Sequence, residues 1–119
     1  MVFILHVNHP KELDNDIYQA MKSLQKIGIP VLTQSVLLQG VNDSADTLQK
    51  LFEDLSDHGI IPYYLHQLDR VQGAAHFEVS EETGKQLMKE LSTRISGYSL
   101  PRYVKEEPGK PSKTSISFL

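Results

Sequence analysis

The sequence predicts an α/β fold whose parallel sheet is built from three βα units, followed by an irregular C-terminal tail. Three observations carry this. Apolar runs of strand length, "VFILHV", "IPVLTQSVLL" and "IIPYYLHQL", alternate with stretches whose apolar residues fall at helical spacing. The strand runs are rich in consecutive apolar residues, as the strands of parallel sheets are. Each helical stretch gives way near a glycine, Gly28, Gly59 or Gly97, which is where helices commonly stop. Parallel neighbours need long crossovers, and the intervening helices supply them in the right-handed sense.

The elements follow in order. After "VFILHV", a helix is expected near residues 14–27, with Ile17, Tyr18, Met21, Leu24 and Ile27 on one stripe. The second strand opens at Pro30, where a missing N–H is tolerated, and ends by "QGVNDS". Ser44 or Asp43 then caps a helix carrying Ala45, Leu48, Leu51, Phe52 and Leu55. The third strand contains Pro62 near its start, and Pro30 to Pro62 is the length of one βα unit of a barrel. "DRVQGAAHFEVS" is a long loop ending at Ser80, the expected cap of a third helix. Glu81 and Glu82 in its first turn favour the helix dipole, and Leu87, Met88, Leu91 and Ile95 form its stripe. The natural division is therefore residues 1–97, the three βα units, and residues 98–119. The second part holds three of the six prolines and no clear period, with room for a short strand near "LPRYV".

Composition removes several function classes. Twelve basic against fifteen acidic residues give a net charge of −3, which offers no general attraction to nucleic acid or to an anionic membrane. There is no cysteine, so a thiolate nucleophile or a cysteine-held cluster cannot arise from this chain. No apolar run approaches the length needed to span a bilayer, and a soluble cytoplasmic domain is expected. His6 and His9 straddle a strand end and do not begin a recognised metal spacing, so no metal site is expected.

Parallel α/β sheets bind ligands at the C-terminal ends of their strands. All three strands turn polar at that end. The first is followed by His6, Asn8 and His9, the second holds Gln34 and Ser35, and the third ends in His66, Gln67 and Asp69. Singly, each has an ordinary explanation as a cap, a loop residue or a hydrogen-bonded core residue; His58 reads as a solvated helix end. Together they mark one polar face.

Four stretches, "HVNHPKEL", "TQSVLLQGVND", "PYYLHQLDRVQGAAHF" and "SGYSLPRYV…PSKT", resemble in order and spacing the C-terminal part of the lysine 2,3-aminomutase family. "VQGAAHF" and "EPGKPSKT" look closest to its bacterial branch that makes (R)-β-lysine for elongation factor P. The resemblance implies a radical enzyme using S-adenosylmethionine (SAM), pyridoxal 5′-phosphate (PLP) and a [4Fe-4S] cluster in a partial TIM-like (β/α) barrel. Lys113 matches the lysine that bonds to PLP. Asp69 matches a carboxylate that holds the ε-ammonium of the substrate lysine. Glu106 stands where the family carries a second such carboxylate, often Asp. His6 and Gln34 match positions near bound SAM. Lys110 has no such match.

The chain departs from that pattern in having no CxxxCxxC motif. The basic residues expected to hold the PLP phosphate and the substrate carboxylate are also missing. It is therefore expected to be the C-terminal part of such an enzyme, from a truncated or split gene, and to be inactive alone. Its expected partners are lysine, the missing N-terminal half of the barrel, and further copies of itself through exposed sheet edges, with neither nucleic acid nor membrane. The rival expectation is a stand-alone small α/β module for ligand binding or protein interaction.

Overall fold

A computed structural model of the chain describes residues 1–68, 75–106, 109 and 113–118. The chain runs β1 (Phe3–His6), α1 (Asn15–Lys26), β2 (Val31–Leu37), α2 (Ala45–Asp57), β3 (Ile61–Gln67), α3 (Glu81–Arg94), β4 (Arg102–Lys105) and β5 (Thr114–Ser115), with single 3-10 turns at Pro10–Glu12, Ala75–Phe77 and Gly97–Ser99. The sheet order is β1-β2-β3-β4-β5. The first four strands are parallel, and β5 is antiparallel to β4.

Two expectations are corrected. The sheet has five strands rather than three, because residues 98–119 are not irregular throughout. "RYVK" pairs with β3 through Leu65↔Tyr103, and Thr114 returns beside Lys105. Tyr103 and Ile116 are buried in the same core as the helices, which gives this part of the chain an apolar anchor that its prolines conceal. The third helix also stops before Gly97. Ile95 is already extended, and Gly97 begins the next 3-10 turn. Asp69 and Lys110 lie outside the described residues.

Local chemistry sets the element ends. Asp14, Ser44 and Ser80 each accept the backbone N–H three residues on, satisfying donors that the first helical turn leaves without partners. Asp43, the alternative cap, instead accepts from Gly40 N–H and tightens the preceding turn. Pro62 is the second residue of β3, and the β2–β3 register shifts beside it, between Thr33 and Gln34. A residue without N–H in an interior strand calls for such an irregularity.

The sheet has two unlike faces. Val31 and Leu37 of β2, Leu65 of β3 and Tyr103 of β4 share one core with Met21 of α1, Leu48, Leu51, Phe52 and Leu55 of α2, and Met88 and Leu91 of α3. One cluster reaching all three helices places them on the same side of the sheet. A succession of right-handed crossovers between neighbours has this result. The alternate residues of β2, Leu32, Gln34 and Val36, are only half-buried and point to the other face. No helix among the described residues is long and apolar enough to cross a membrane.

Candidate active site

The face away from the helices collects the polar residues. The register aligns His6 with Gln34, Gln34 with Tyr64, Val36 with His66, and His66 with Val104, so these side chains form adjacent rows. His6, Gln34, Val36, His66, Leu68 and Glu106 line a cavity of about 270 Å³ at the C-terminal ends of the strands. Lys113 enters this face because β5 turns back along β4. Its Nζ stands 5.5 Å from the centre of the Tyr64 ring, within reach of a cation–π interaction. Tyr64 in turn meets His66 edge-on, with ring centres 5.7 Å apart.

His66 is the focus of the electrostatics. Burial lowers its pKa below the ordinary histidine value, and the Lys113 and His6 charges lower it further, with Glu106 acting in the opposite sense. The balance of these effects favours the neutral imidazole. Among the described residues its buried Nε2 has no hydrogen-bond partner, a condition that costs about 1–3 kcal/mol until something supplies one.

Of the residues expected at the site, His6, Gln34, Glu106 and Lys113 are brought together, while Asp69 falls outside the described residues. His9 is not part of the constellation. Its Nδ1 accepts from Lys11 N–H, and Glu12 accepts from the backbone of Asn8 and His9, making a capping box. Asn8 laces the site's rim, since its Oδ1 accepts from Val36 N–H. His58 ends α2 as expected but is not simply solvated; its ring stacks on Tyr18 with centroids 3.6 Å apart. That pair lines a larger groove of about 400 Å³ between α1 and α2, which contains none of the expected site residues. Tyr64 was not anticipated, although its place two residues before His66 puts both on one face of a strand.

Proteins from Escherichia coli, Haemophilus influenzae and Methanococcus maripaludis are 49%, 46% and 37% identical to the chain, over 98%, 95% and 93% of its length. Its homologues carry the name L-lysine 2,3-aminomutase. The matches cover 34%, 33% and 26% of those proteins, so the chain spans about a third or less of the length of the curated relatives it matches. No protein-family model matches the chain.

The aminomutase resemblance implies three cofactors, and the chain's own residues suit them unequally. An iron–sulfur cluster requires thiolates, and there is no cysteine, so the chain cannot supply that donor set. Among the described residues no group of three His, Asp or Glu side chains is placed to hold a metal ion. The PLP expectation fits better. It calls for a lysine on an open site, and Lys113 stands over the Tyr64 ring, which in turn meets His66 edge-on. For SAM, His6 and Gln34 share that cavity's wall.

Proposed function

We propose that the chain contributes the lysine-binding and PLP-binding wall of a lysine 2,3-aminomutase, an isomerase that moves the α-amino group of L-lysine to the β-carbon. The observation carrying this reading is the approach of Lys113 to Tyr64 on the cavity-bearing face, where its charge also acts on His66, in a chain whose homologues bear that name. In the proposal these strands are the C-terminal part of a partial (β/α) barrel, and the exposed edge of β1 meets the rest of that barrel or another copy. The product is (R)-β-lysine, destined for elongation factor P.

PLP, when bound, supplies the electronic delocalisation that makes an amino shift accessible. This chain's residues orient and select. Lys113 provides the amine that joins to PLP, and the Tyr64 ring holds that amine over the sheet. Glu106, with Asp69, accepts hydrogen bonds from the ε-ammonium of the substrate. Two carboxylates around one cation offset its desolvation and select a long basic amino acid. His6 and Gln34, on the wall of the cavity, would be the residues that hold SAM.

Two measurements test this. Incubation with PLP followed by borohydride should label Lys113 in preference to the other lysines, and Lys113→Arg should remove that label. Equal labelling of all lysines, or an unchanged pattern in the variant, refutes the assignment. Supplied with SAM, a reductant and PLP, the chain alone should form no β-lysine, because it cannot hold the cluster; detection of β-lysine would contradict the proposed division of labour.

A further inference from the structure

We propose that His66 is the positioning residue for Lys113, its Nε2 accepting a hydrogen bond from Lys113 Nζ. The inference rests on Lys113 being the reactive lysine of the site. It begins from an incomplete feature of the open face: Nε2 of His66 is buried and has no partner among the described residues. Buried ring nitrogens are ordinarily paired, so the partner must come from a group able to reach this one.

Lys113 is the neighbour suited to it. Its Nζ already stands over Tyr64, and Tyr64 presents its ring edge-on to His66, so Tyr64 links the lysine to the histidine that lines the cavity. Lys113 is also the strongest of the charges acting on His66. The lysine arm has rotatable bonds to bring Nζ from the ring face to the ring nitrogen, and an ammonium carries only donors. A neutral imidazole with its proton on Nδ1 offers Nε2 as an acceptor. Among the other groups facing His66, His6 comes from β1, Glu106 follows β4, and Arg102 lies opposite Tyr64 in the register. Glu106 raises the histidine's proton affinity but does not outweigh burial and Lys113, so the ring remains an acceptor.

The role is positional. Held by His66 and Tyr64, the Lys113 amine faces the cavity instead of solvent, where it would sample many rotamers. The arrangement also gives a reason for a histidine near the end of β3 on the open face, alternating with Leu65 on the core side.

Two arms test the inference. In nitrogen-15 NMR of the full chain, Lys113→Met should shift the His66 Nε2 resonance and raise the histidine's titration midpoint, because a lowering charge and a donor are removed together. An unmoved resonance and midpoint would overturn the contact. In the second arm, borohydride trapping with PLP is followed at Lys113 and at the other lysines. His66→Phe should slow trapping at Lys113 about tenfold, as expected for a lost hydrogen bond to a charged group. His66→Gln, which returns an acceptor at nearly the same position, should restore most of it. Trapping in His66→Phe at the wild-type rate, or equal loss in both variants, would also overturn the inference. If wild-type Lys113 is not trapped at all, the PLP reading fails, while the NMR arm still decides the contact.

Discussion

Gly84→Ala should destabilise the protein, although alanine at a helical position ordinarily gains about 1 kcal/mol over glycine. Gly84 is buried in the first half of α3, and a methyl group there would overlap the hydroxyl and ring of Tyr103. Tyr103 cannot readily yield. It is 1% exposed, its hydroxyl donates to Gln67 Oε1, and Gln67 Nε2 donates to Val79 O. Burial and Glu81 push the phenol's pKa up, so it is a donor at neutral pH. Overpacking of this kind costs about 1–3 kcal/mol, more than the helix gains. A lowered urea midpoint is the expected readout. Tyr103→Phe should reduce the penalty of Gly84→Ala, since it removes the first atom the methyl meets, and a double-mutant cycle measures that coupling. A raised midpoint for Gly84→Ala alone would refute the packing.

Gly84 also shows where sequence reasoning loses its hold. Within "EETGKQLMKEL" a glycine reads only as a weak point of a helix. Its reason is a phenol on a strand nineteen positions later, and no local pattern contains that contact. The same limit applies to β4 and β5. Four-residue and two-residue strands are too short for a period, and their pairing is a long-range event. The three main strands and helices were legible because each carries its own apolar repeat and its own cap. The site was legible in part. The polar ends of β1, β2 and β3 placed His6, Gln34 and His66 on one side, as the strand register bears out. Lys113 entered the expectation through family resemblance alone, since nothing in "PGKPSKTSISFL" marks one lysine above the other. The return of β5 along β4 is what separates it from a tail charge.

Asn42→Leu should have a still larger effect, costing about 3–5 kcal/mol as the sum of several buried polar groups left without partners. "GVNDS" reads as a loop, yet Asn42 is fully buried. Its Oδ1 accepts from Leu38 N–H, and its Nδ2 donates to Asn8 O and to Val36 O, each at 2.8 Å. One amide therefore ties the end of β1 to the end of β2 and to the turn before α2. These are the strand ends on which His6 and Gln34 stand, so the loss should reach the cavity as well as the melting temperature. Asn42→Asp separates lost hydrogen bonds from lost volume. It preserves the shape but turns an oxygen toward two carbonyls, which disfavours the ionised form and raises the carboxyl's pKa in the folded state. The folded variant then binds more protons than the unfolded one, so its stability should fall as pH rises through the unfolded carboxyl value and recover in acid. Wild-type protein lacks that carboxyl, and the difference between the two pH profiles isolates it. Equal stability of Asn42→Asp and wild type at neutral pH would mean that this amide does not hold the strand ends.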